Sequence, residues 1–73
     1  MAKVLKTLEN RGKFGYDVQL TFSNGDVLNC EDVDCDKDSV YRFMSRLEGE
    51  DIDEEQLSYL IHDHLVREYT VQR

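Results

Sequence analysis

Between Phe14 and Phe22 the chain alternates without a break: Phe14, Tyr16, Val18, Leu20 and Phe22 are apolar, while Gly15, Asp17, Gln19 and Thr21 are small or polar. A period of two places every apolar side chain on one face of an extended strand, and a strand with one oily face needs a cover. Turn residues close both ends, Asn10-Arg11-Gly12 before and Ser23-Asn24-Gly25 after, so an antiparallel neighbour is expected on each side. The stretch reads as the middle strand of a three-stranded meander. Helices later in the chain then cover its aromatic face.

Those helices announce themselves by a change of period. Val40, Phe43, Met44 and Leu47 recur at i, i+3, i+4 and i+7, the buried stripe of an amphipathic helix. Asp36 is its expected N-cap, with Cys35 packing on Val40 from just outside, and Gly49 its left-handed stop. Asp53-Glu54-Glu55-Gln56 then has the form of a capping box, with Ile52 and Leu57 at the flanking apolar positions. Leu57, Leu60, Ile61 and Leu65 make a second buried stripe with His64 on the same side, and this helix runs to Arg67 or a little beyond. Tyr69-Thr70-Val71 is β-prone and either frays or joins a sheet edge.

The expected fold is therefore α+β, a three-stranded antiparallel meander followed by two helices packed on one face (βββαα). Seventy-three residues make one domain, 1–73. The expected core is Val18, Leu20, Phe22, Leu28, Val40, Phe43, Leu47, Leu57, Ile61 and Leu65.

Strand register is set by the turns. A two-residue Asn24-Gly25 turn would set Leu20 against Asn29. A three-residue loop Ser23-Asn24-Gly25, with Gly25 at positive φ, sets Leu20 against Leu28 and Val18 against Cys30, which suits both faces. Cys30 is then a small buried hydrophobe. For the first strand, Lys3 to Glu9, a loop Asn10-Arg11-Gly12 with Gly12 at positive φ sets Leu8 against Phe14 and Val4 against Val18. A slip of one residue would bury Leu5 instead. After Cys30, repulsion within Glu31-Asp32-Val33-Asp34-Cys35-Asp36-Lys37-Asp38 disfavours a continued strand.

Composition narrows the function classes. The start, Met1-Ala2-Lys3-Val4-Leu5-Lys6, lacks an apolar signal region, and no apolar run reaches the roughly 20 residues of a membrane span. Cys30 and Cys35 are read as free thiols, so a cytoplasmic protein with no membrane contact is expected. Net charge is −7, unevenly spread. Residues 1–13 carry Lys3, Lys6, Arg11 and Lys13 against Glu9. Residues 26–55 carry twelve carboxylates against Lys37, Arg42 and Arg46. Such an acidic half repels a phosphate backbone. A nucleic-acid site would have to use the four N-terminal cations with Phe14 or Tyr16, aromatics the core already claims.

The acidic run fails as a calcium loop. A frame starting at Asp32 sets Asp34 and Asp36 at positions three and five but Lys37 at six and Phe43 at twelve. A frame starting at Asp34 sets Ser39 at six and Ser45 at twelve. His62 and His64 lie on different sides of their helix and cannot share a metal, so no metal or other cofactor is expected. Cys35 with His62 or His64 is the sole conceivable nucleophile and base, and neighbouring carboxylates raise a thiol's pKa. The glycines are scattered, with no phosphate loop. The expectation is a protein that is not an enzyme.

Three segments carry a resemblance: the strand led by Gly15-Tyr16, the acidic Asp36-Lys37-Asp38 before a short helix, and Leu60-Ile61-His62-Asp63-His64-Leu65 in the last helix. Together, over residues 14–66, the chain resembles an uncharacterised family of small bacterial proteins. The resemblance implies architecture and carries over no functional residue.

Tyr59, His62, Val66 and Tyr69 form a stripe beside the buried one. They are buried under the chain's own sheet or first strand, or they are an interface for another protein or a second copy. Two function classes remain. One is a regulatory or adaptor module binding another protein. The other is an acidic antagonist that mimics nucleic acid on a basic protein, as phage-type inhibitors do.

Overall fold

The computed structural model describes residues 2–70, in the order β1 (Ala2–Arg11), β2 (Tyr16–Phe22), β3 (Val27–Asp34), α1 (Lys37–Leu47), β4 (Asp51–Ile52) and α2 (Glu54–Thr70). The class is α+β, but the antiparallel sheet has four strands instead of three, ordered β3-β2-β1-β4. The fourth, β4, sits between the helices. It exists because the chain leaving α1 turns back along β1: Gly49, at φ +85°, donates its N–H to the Val4 carbonyl, and Val4 donates to the Glu50 carbonyl (both 2.9 Å). Ala2 then pairs with Ile52.

The β2–β3 hairpin has the expected three-residue loop. The Phe22 N–H donates to the Asp26 carbonyl across it, Gly25 takes φ +94°, and Leu20 pairs with Leu28 and Val18 with Cys30. Cys30 is buried.

The first hairpin corrects the sequence reading. β1 runs on to Arg11 and Gly12 is not at positive φ; Arg11 pairs with Tyr16, and residues 12–15 form the loop. Phe14 sits in that loop, 77% exposed, outside the core. A β-bulge between Val4 and Lys6 shifts the register, so Val4 pairs with Phe22 and Leu8 with Gln19. A bulge changes which residues share a face. Beyond it Leu8 is exposed, and Glu9 stands opposite Val18 on the helix-covered side. The Oε2 atom of Glu9 lies 3.9 Å from Lys37 Nζ, and its Oε1 is buried without a hydrogen-bond partner.

The acidic run also departs from expectation. β3 continues through it to Asp34, because a second irregularity takes up the charge: Tyr16 pairs with Asp34 but Val18 with Cys30, which leaves Glu31, Asp32 and Val33 bulged. Asp32 takes φ +55° and donates its N–H to Asp17 Oδ1 (2.9 Å). The carboxylates of Glu31 and Asp32 stay in solvent while Val33 and Asp34 turn inward. Gly15 permits this closure, since a Cβ there would stand 2.8 Å from the Asp34 carbonyl oxygen.

The core joins Val18, Leu20 and Phe22 of β2 to Val4, Cys30, Val33 and Ile52 of the other strands. Val40, Phe43 and Leu47 of α1 and Leu57 of α2 complete it. Leu28 and Ile61 pack on its margin, and Leu65 is half-buried. α1 lies on the sheet, whereas α2 packs chiefly along α1, so the two helices do not share the sheet face equally. α2 extends to Thr70, taking Tyr69 and Thr70 into the helix; Val71 lies outside the described residues.

Candidate functional site

α2 is held in place by three devices. At its start Asp53 and Gln56 make the reciprocal capping box: Gln56 N–H donates to Asp53 Oδ1 (2.9 Å), and Asp53 N–H donates to Gln56 Oε1 (3.2 Å). Two otherwise orphaned donors are satisfied. Near its end Arg42 of α1 makes a two-pronged ion pair with Glu68 (2.9 and 2.7 Å), which holds the Glu68 carboxyl below the usual range. The pair is half in solvent, so it fixes the pairing of the helices more than it adds stability.

The third device is a buried polar chain. His64 is 1% exposed and Ser39 of α1 fully enclosed, with Oγ 3.0 Å from His64 Nε2. On the other side of the ring, Nδ1 faces Arg46 Nη1 at 3.2 Å. A guanidinium only donates, so Nδ1 must accept, and the ring proton sits on Nε2 and points at Ser39. The Ser39 hydroxyl in turn donates to Asp34, which also accepts from the Tyr69 hydroxyl (2.7 and 2.9 Å) and from the amides of Cys35 and Asp36. Every proton in the chain has a destination. Phe43 packs against the imidazole at 5.1 Å between ring centres.

The pKa directions agree with this order. Burial is the main cause that pushes His64 below its ordinary value; the pull of Glu68 opposes it, and repulsion from Arg46 adds to the lowering. Burial works to raise Asp34, but the hydrogen bonds from Tyr69, Ser39 and the two amides hold it below the carboxylate range. The hydrogen bond to Asp34 pushes Tyr69 up to about 12.

Ser39 and His64 are spaced like a nucleophile and its base, yet the chemistry runs the wrong way. The imidazole donates to the serine, a cation sits where an orienting carboxylate would be needed, and Ser39 is fully enclosed. The arrangement is a clasp between β3, α1 and α2. Asp36, correctly placed as the N-cap, makes no side-chain cap bond, and Asp34 accepts the amides of Cys35 and Asp36 just before the helix. Cys35, expected to pack on Val40, is exposed. Among the described residues, no three His, Cys, Asp or Glu side chains converge as metal ligands do.

Fixed in this way, α2 turns its other side to solvent. At 100° per residue, Tyr59 and Val66 lie opposite Leu57 and His64, and they are 76% and 42% exposed. His62 is exposed beside them. The three stand on one outer face that the chain's own sheet and first strand leave bare. Tyr69 separates from them: its ring is half-exposed, but its hydroxyl is tied to Asp34 at the flank. The stripe read from sequence is thus three free residues and one tether.

Sequence reasoning missed Ser39, Arg46 and Asp34. The one available signal was His64 on a buried stripe, since a buried imidazole requires polar partners. Compared with family models, curated proteins and solved structures, the chain matches none.

Proposed function

We propose that this chain is a small, non-enzymatic regulatory or adaptor module that binds another protein through the outer face of α2. The observation that carries this reading is the exposure of Tyr59 and Val66 on the side of α2 opposite its buried stripe. Tyrosine supplies large amphipathic contact area at low entropic cost and is enriched in binding hot spots. A helix anchored by a capping box, an ion pair and a buried clasp loses little further freedom when it docks. No helix among the described residues is long and apolar enough to cross a membrane, and we place the module in the cytoplasm. A second copy is one occupant of the face; an unrelated protein is the one we favour.

A second reading draws on a separate observation. Of the twelve carboxylates between residues 26 and 55, Asp34 alone is buried, and the others stand in solvent. A surface of that kind fits a basic, nucleic-acid-binding partner and would act there as an antagonist.

Affinity capture from the source cell at low and high salt, with wild type and the Tyr59→Ser/Val66→Ser variant, tests both. Capture that survives high salt and is lost in the variant supports the adaptor. Capture that survives in the variant and is lost at high salt supports the antagonist and refutes the α2 face.

A further inference from the structure

The sheet has one long open edge. The Phe22 N–H bonded to the Asp26 carbonyl sets the alternation of the β2–β3 ladder, so Leu20–Leu28 and Val18–Cys30 are the hydrogen-bonded pairs. Val27 and Asn29 therefore aim their N–H and C=O groups away from β2. Among the described residues no strand lies beyond β3. Natural edges are usually shortened, covered or guarded by lysine. This one is bulged only from Glu31 onward, and its first four residues are regular.

Beside that regular part lies a notch of about 460 Å³ that α1 and α2 leave unfilled. Its floor is apolar: Ala2, Phe22, Leu28 and Ile52. Its rim holds Asp26, Asp53 and Glu54, and no lysine or arginine lines it. A strand added to β3 would set alternate side chains on the helix side, next to Leu28 and at the end of the notch that β3 lines. A second copy is a poor occupant, because two chains of net charge −7 would meet along strands that each carry exposed Glu31 and Asp32.

We propose that the β3 edge at Val27–Asn29 and the adjoining notch form a docking site for an extended, lysine- or arginine-rich segment of another protein, bound by strand addition. Backbone hydrogen bonds to Val27 and Asn29 give register, one apolar side chain enters the notch, and cations answer the rim. The site is separate from the outer face of α2 and does not depend on its role.

The probe is an end-capped heptapeptide of alternating lysine and valine, titrated into the 73-residue protein by amide NMR with hydrogen exchange. Slowed exchange at Val27 and Asn29 is expected, with binding that weakens as salt rises. N-methylating alternate peptide amides should reduce affinity at least tenfold, and so should Asn29→Pro, which removes one outward N–H at an edge that tolerates proline. The Tyr59→Ser/Val66→Ser variant should bind the peptide as wild type does. If Asn29→Pro fails to fold, the N-methylated peptide decides alone. Absent binding at millimolar peptide, equal binding of the methylated peptide or of a glutamate–valine counterpart, or protection confined to α2, would each overturn the proposal.

Discussion

Ser39→Ala removes one oxygen from the interior, and the structure says where the loss falls. Asp34 keeps three donors, Tyr69 and the amides of Cys35 and Asp36, so it stays satisfied. The His64 Nε2–H loses its side-chain acceptor in a place that water does not reach. A buried donor left unpaired costs about 1–3 kcal/mol, and the small void adds little, so the expected loss is about 2 kcal/mol. A domain of this size holds on the order of 4–10 kcal/mol in total, so the loss is a large share. Equilibrium urea unfolding should show the midpoint falling by about 1–2 M at unchanged slope. Ser45→Ala, at an exposed position on α1, should stay within about 0.5 kcal/mol. In a His64→Leu background the orphaned donor is gone, and Ser39→Ala should cost much less. A loss below about 0.5 kcal/mol for Ser39→Ala in the wild-type background would refute the clasp.

The same geometry sets further outcomes in pH dependence, titration and packing. Because His64 is held below its ordinary pKa, the unfolded chain binds more protons in that window; stability should be full above about pH 6.5 and decline as pH falls toward the folded value, and His64→Leu should flatten this decline in urea midpoints measured across pH. A second decline, below about pH 4, should belong to Asp34, whose pKa is also lowered. Ultraviolet titration of wild type minus Tyr69→Phe should place the Tyr69 phenolate near pH 12, returning toward 10 in Asp34→Asn. Gly15→Ala should cost about 1–3 kcal/mol in thermal or urea unfolding, since its Cβ meets the Asp34 carbonyl and backbone cannot rotate away.

What the sequence disclosed and what it hid divide along physical lines. Local chemistry was legible: the three-residue loop Ser23-Asn24-Gly25 set the β2–β3 register, Asp53 and Gln56 named the α2 start, and the Val40-Phe43-Leu47 spacing gave the buried face of α1. The errors arose where tertiary contacts override a period. The bulge after Val4 turned Leu8 out and Glu9 in, and nothing in Lys3 to Glu9 announces it. The carboxylates of residues 31–38 hid a strand end, because the bulge that reconciles charge with Val33 burial needs Asp17 from the neighbouring strand. A two-residue β4 carries no period to read and depends on bonds to Val4. The outer stripe of α2 was visible in outline, but the tether of Tyr69 was not, its partner lying 35 residues away.

The central claim, that the outer face of α2 is a protein-binding surface, is tested most directly by photo-crosslinking in the source cell. A benzophenone side chain replacing Tyr59 should form a covalent adduct with one predominant protein, and the same group replacing the exposed Ser45 of α1 should not. Identical adduct patterns from both positions, or no adduct from position 59 in a correctly folded protein, would contradict it.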